Sequence, residues 1–162
     1  MIGTTRIAAA AAAALMALSA GAAPAAAQSF SPTGPFAFTN ITPVTVSAGL
    51  TLTCDLSGTG VVDPSGNAAV TSVTFSPTAS LCPSVTVTSL PVAVTGYASA
   101  ATVTLHGVMV NAITGRCLGN LTGSYDAVFG IVTFTAASIP SISGGAACRI
   151  SGKLRVTPAL HF

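Results

Sequence analysis

The chain has 162 residues, of which 5 are Lys or Arg, 3 are Asp or Glu and 51% are hydrophobic, for a formal net charge of +2. A globular domain ordinarily charges about a quarter of its residues; so sparse a charge excludes the basic stripe that a phosphate backbone requires, and nucleic acid is not an expected partner. Low charge combined with many β-branched residues also excludes intrinsic disorder, and no polybasic cluster or basic amphipathic helix marks an anionic membrane as a partner.

In chain order, Met1 to Arg6 carries one positive charge, Ile7 to Leu18 is an apolar run, and Ala22 to Ala27 offers small residues in an A-x-A arrangement. This pattern predicts a secretory signal peptide over residues 1–27, cleaved after Ala27, with Ala25 and Ala27 read by the peptidase. A bilayer span needs roughly 20 apolar residues. The run is shorter, and none follows, so no transmembrane segment is expected in the mature chain. That chain, 135 residues long (162 minus 27), is about one domain. Its expected location is secreted or extracytoplasmic: periplasm, cell surface or medium.

Residues 28–48 are expected to form an N-terminal arm or the first strands, with "FAFTN" and "VTVS" as candidates, ahead of a β domain over 49–162. In "LTLTCDL", Leu50, Leu52, Cys54 and Leu56 share one face and Thr51, Thr53 and Asp55 the other, the alternation of a half-buried strand. The same pattern recurs in "VTSVTF" from Val70, "VTVTSL" from Val85, "ATVTLHGVMV" from Ala101, "IVTFTA" from Ile131 and "KLRVT" from Lys153. Turn signals separate them at Asp63-Pro64-Ser65-Gly66, Gly96, Thr114-Gly115 and Gly144-Gly145. No mature stretch has helical spacing. The expected fold is all-β, a single disulfide-stapled sandwich or barrel of about 8 to 10 short strands.

A frame is written twice. Cys54, Gly60 and Asp63 recur 63 residues later as Cys117, Gly123 and Asp126, with Gly66 and Gly130 after the Asp residues. Each copy then continues through a strand to a second cysteine, Cys82 or Cys148, and a strand closing at Pro91 or Pro158. An internal duplication is expected, with pseudo-repeats over about 50–98 and 110–160. Gly60, Asp63, Gly66, Gly123, Asp126 and Gly130 read as turn residues, the Asp accepting a bond from a backbone N–H two residues on and the Gly taking positive φ. Neither Asp has an acid, base or metal ligand beside it in the sequence, so they are not read as a catalytic pair.

An even number of cysteines in a secreted chain reads as a disulfide framework, though spacing alone allows three pairings of four. The duplication selects one bridge per copy, Cys54 with Cys82 and Cys117 with Cys148. Zinc is disfavoured by the lack of a C-x2-C pair. His106 alternates with Thr102 and Thr104 on the polar face of a strand, His161 is next to the last residue, and no G-x-S-x-G elbow occurs. No catalytic residue, cofactor or metal site is therefore expected. Asn40-Ile41-Thr42 and Asn120-Leu121-Thr122 match glycosylation acceptors, a triplet that chance supplies in a Thr-rich chain.

The run "LTLTCDLSGTGVVDPSGNAAVTSVTFSPTASLCPSVTVTSLP", with the second Cys pair and the final "CRISGKLRVTPAL", resembles the small secreted bacterial protein activator of alkane oxidation (PraA/PraB-like) family. The resemblance extends from Thr39 to Leu160 and is most specific from Leu50 to Pro91. It implies a secreted, non-enzymatic accessory that promotes contact with or use of hydrophobic substrates such as alkanes, with links to surface attachment and biofilm. The implied partner is a hydrophobic substrate or cell surface. A different class of function also fits the residues: a self-assembling extracellular subunit, a homo-oligomer in which Phe36 to Val46 is donated to a neighbour by strand addition.

Overall fold

The computed structural model describes residues 27–76 and 81–162; the expected signal peptide, apart from Ala27, lies outside the described residues. Ten strands follow one another: β1 (Gly34–Asn40), β2 (Val44–Ser47), β3 (Thr51–Val62), β4 (Ala68–Ser76), β5 (Thr86–Val87), β6 (Val92–Tyr97), β7 (Thr102–Ala112), β8 (Gly115–Asp126), β9 (Ile131–Ile139) and β10 (Cys148–Thr157). The described residues add only two single 3-10 turns, Cys82–Ser84 and Ala98–Ala100.

All pairings are antiparallel, and the sheet closes on itself because β10 joins β9 on one side and β1 and β2 on the other. β1 and β2 occupy one position in the ring. Both lie between β10 and β3, with β1 against Ser57–Val62 and β2 against Thr51–Cys54. Pro43 stands at the break between them, where a residue without an N–H ends a ladder, and the Ile41 N–H bridges the gap by donating to the Lys153 carbonyl at 2.8 Å. With that position counted once, the architecture is an eight-stranded closed barrel plus the short β5, which pairs with the far half of β7. Closure removes most of the free edges that a Thr- and Val-rich sheet would otherwise offer to other chains.

Period-two alternation sorts the side chains. Along β8 the buried positions are Cys117, Leu121, Gly123 and Tyr125, and the intervening residues face solvent or are partly covered. In β4 the alternation slips because Thr71 is an extra residue opposite the Thr59–Gly60 step of β3, so Val70 and then Val73 and Phe75 turn inward. This is a β-bulge, and similar register shifts occur in β7 at Leu105–Val108 and in β10 at Ile150–Gly152.

Cys54 is bonded to Cys82 and Cys117 to Cys148, with Cα separations of 5.7 and 6.0 Å. All four sulfurs are buried near one end of the barrel, where β3, β8 and β10 begin. The bridges close loops with sequence separations of 28 and 31, for which chain entropy in the unfolded state gives about 3.5 kcal/mol each. Such bridges persist in oxidising compartments. Two strands occupy matching places in the repeated frame: β4 spans Ala68–Ser76 and β9 spans Ile131–Ile139, both 9 residues long and 63 apart (131 minus 68).

Gly60 and Gly123, read above as turn residues, are corrected by the structure: both lie inside strands, β3 and β8. Each leaves space for an aromatic ring, Phe36 over Gly60 and Phe134 over Gly123, and a Cβ at either position would collide with that ring. Glycine in a strand interior often marks such a close approach, not a turn. Gly96 is corrected likewise: it lies in β6, under the ring of Phe162.

Candidate ligand cavity

The inward residues of the barrel do not fill it. Phe36 and Phe38 from β1, Ala68, Val70, Val73 and Phe75 from β4, Val103 and Leu105 from β7, and Phe134 from β9 are among the side chains around a cavity of about 120 Å³. No polar atom faces it. An eight-stranded barrel is just wide enough either to be filled by side chains or to hold one small ligand, and here alternation with Val and Ala leaves room between the rings. Water needs two to four polar partners to occupy a buried space, so an apolar cavity of this kind stays dry. Unfilled space of this size costs about 3 kcal/mol at roughly 24 cal/mol per Å³.

One end of the cavity is plugged by aromatic residues from the segments that flank the strands, Phe30 ahead of β1 and Phe162 after β10. Phe30 and Phe162 meet edge to face with centroids 5.0 Å apart, and Phe162 stacks on Tyr125 at 5.4 Å. The Tyr125 hydroxyl donates to the Leu160 carbonyl at 2.7 Å and accepts from the Leu160 N–H at 2.9 Å. Ser31 and His161 exchange backbone hydrogen bonds at 2.8 and 2.7 Å, binding the two flanking segments together. Burial holds the Tyr125 phenol above its ordinary pKa, outweighing the lowering effect of the Leu160 bond. The hydroxyl is therefore neutral and both donates and accepts.

Ladder pairing is short at two places in the described wall: β8 pairs with β9 only through Ser124–Asp126, meeting the chain beyond β9 again at the Cys117–Ser141 bridge, and β4 is the second. β4 pairs with β6 only through Ala68–Val70, while β5 pairs with β7 and not with β4. Ser72–Ser76 thus pairs with β3 alone. Of the side chains lining the cavity, Val73, Val87, Val94 and Leu105 are only partly buried, and all the others are buried. Val73 and Val87 stand on opposite sides of this seam; Val94 and Leu105 pair with each other across β6 and β7.

Of the turn residues read from the repeat, Asp63 is half-buried and Asp126 exposed, while Gly66 and Gly130 are buried in the same two turns. Asp63 Oδ1 accepts from the Ser65 and Asn67 N–H groups at 2.8 and 2.9 Å, and Oδ2 accepts from Asn67 Nδ2 at 2.9 Å. The Asn67 amide and then its N–H hold this carboxyl below the usual carboxylate range. Asp126 Oδ1 accepts from the Val128 and Phe129 N–H groups at 3.0 and 3.2 Å. Gly66 and Gly130 have φ of 83° and 63°, the left-handed region that glycine adopts freely. These side chains serve the β3–β4 and β8–β9 turns, and their polar atoms make local bonds. His106 Nε2 bonds Thr95 Oγ1 at 2.8 Å across β6 and β7. Among the described residues no three His, Cys, Asp or Glu side chains gather as metal ligands, and no helix is long and apolar enough to cross a membrane.

The cavity was not read from the sequence. Its one available signal is the inward set of strongly unequal side chains, Phe beside Ala, Val and Gly, which alternation identifies without revealing the volume left between them. No curated protein and no solved structure matches the chain. The family model for alkane oxidation protein activator PraA/PraB-like matches residues 1–162, the whole chain. The chain belongs to this PraA/PraB-like family of alkane oxidation activators.

Proposed function

We propose that the protein is a secreted, non-enzymatic accessory that promotes contact with or use of alkanes by attaching at hydrophobic surfaces, with surface attachment and biofilm as the cellular outcome. The observation that carries this reading is a set of apolar side chains at the hairpin tips. At the disulfide end, Leu50, Ile113 and Ile142 are 45%, 57% and 47% exposed, and at the opposite end Val128 and Phe129 are 80% and 61% exposed. Apolar groups on turns, beside a barrel surface with few charges, can enter an oil phase with little desolvation cost. The family's description as an activator supports an auxiliary role, and the two disulfides support export to an oxidising compartment. The strand-addition alternative gains no support from the fold, because Phe36 to Val46 is paired within its own barrel.

The test is adsorption of the mature protein at a hexadecane–water interface, followed by interfacial tension and depletion from the aqueous phase. The wild type is expected to adsorb as a monomer, and a variant with Leu50, Ile113, Ile142, Val128 and Phe129 all replaced by Ser is expected to lose most of that adsorption. Indifference of the wild type to oil would overturn the reading.

A further inference from the structure

We infer that the barrel interior is a binding site for one small unsubstituted hydrocarbon, or the equivalent length of a hydrocarbon chain, admitted through the seam between β4 and β5. The inference deepens the functional reading above and rests on its hydrocarbon contact, but the two concern different parts of the molecule and fail separately.

The ligand class follows from the lining. With no polar atom facing the cavity, a bound carboxylate, alcohol or headgroup would lose its hydration and gain no hydrogen bond in return. A saturated hydrocarbon loses only unfavourable hydration and gains dispersion contacts now missing from the cavity walls. The volume of about 120 Å³ is somewhat below the roughly 150 Å³ of an engineered dry cavity that accepts benzene, which sets the scale at about a six-carbon fragment. The two ordinary ends of a barrel do not supply the route. One is plugged by Phe30, Tyr125 and Phe162, and at the other all four bridged cysteines are buried among the strand starts. Where the pairing of β4 is interrupted, Val73 and Val87 both line the cavity and are partly exposed, and the proposed entry route lies there.

The experiment is titration of the disulfide-intact mature protein with n-hexane, cyclohexane and hexanoate, followed by methyl NMR of Val and Leu residues and by thermal unfolding. Saturable one-to-one shifts of the lining methyl groups by hexane or cyclohexane are expected, with a rise in Tm and at least tenfold weaker binding of hexanoate. Ala68→Leu and, independently, Val132→Phe fill the cavity; each is expected to weaken hexane binding at least tenfold while adsorption to a hexadecane surface stays unchanged. Absence of saturable shifts in the wild type would overturn the inference whatever the variants do, as would undiminished hexane binding by a folded filled variant or equal binding of hexanoate. Loss of hexadecane adsorption by the wild type, with internal hexane binding intact, would instead remove the surface reading alone.

Discussion

Tyr125 and Leu160 exchange two hydrogen bonds across the end of the barrel, the phenol donating to the Leu160 carbonyl and accepting from its N–H. One side chain on β8 thus satisfies both backbone groups of a buried residue 35 positions away, and it does so beneath the ring of Phe162.

Replacing Tyr125 by Phe keeps the ring and leaves both Leu160 groups unpaired, which costs about 1–3 kcal/mol. The pH dependence has a definite sign. Because the folded phenol has a raised pKa, its contribution is fully present below the unfolded value of about 10 and is lost as pH rises through the folded value. Urea unfolding between pH 7 and 11 should show the wild type losing stability on the alkaline side, with a shallower loss in Tyr125→Phe. Parallel profiles would contradict this.

The ring of Phe36 lies where a side chain on Gly60 would be, and the Ala69 carbonyl lies close to the same point. Gly60→Ala is expected to destabilise by about 1–3 kcal/mol through overpacking. Gly144 has nothing within reach of an added Cβ, but its φ of 78° makes it a control for backbone strain alone. Chemical denaturation of both variants separates the two causes: far-UV and aromatic near-UV signals should change together in Gly60→Ala, while Gly144→Ala should leave the near-UV signal of the Phe and Tyr cluster intact.

Asp63 gives the acid counterpart. Its carboxyl is held below the ordinary value, first by the Asn67 side chain, so its contribution to the turn is present above the unfolded pKa and is lost as pH falls through the folded one. A carbon-detected NMR titration should place the Asp63 inflection below that of an unstructured Asp. Asn67→Ala should move it upward, and an unmoved inflection would show that the amide is not the main cause.

Much of the architecture was legible because strands that bury one face write a period of two into the sequence. Leu52, Cys54 and Leu56 turn inward and Thr51 and Thr53 outward as their alternation requires, while Leu50, expected on the inward face, lies ahead of β3 and is exposed. Where the barrel departs from regular pairing, that signal fails. The strand expected from Val85 shrinks to Thr86–Val87, and Val92–Tyr97 was hidden because Pro91 and Gly96 both look like interruptions. Gly96 is accommodated in a strand by Phe162, a residue 66 positions later (162 minus 96), and no local pattern carries such a relation. The cavity is still further from local reading. It depends on how the volumes from β1, β4, β7 and β9 add when the ring closes, and a single methyl group on any of them would alter the sum.

The position shared by β1 and β2 has a consequence for biogenesis. Both fragments complete their pairing only against β10, the last strand to be synthesised, so a growing chain cannot close the ring early. Until its final strand is available, the polypeptide is an open sheet with unmatched borders. Under the proposed export of this protein, that order of synthesis keeps the precursor in a threadable form and defers the finished container to the far side of the membrane.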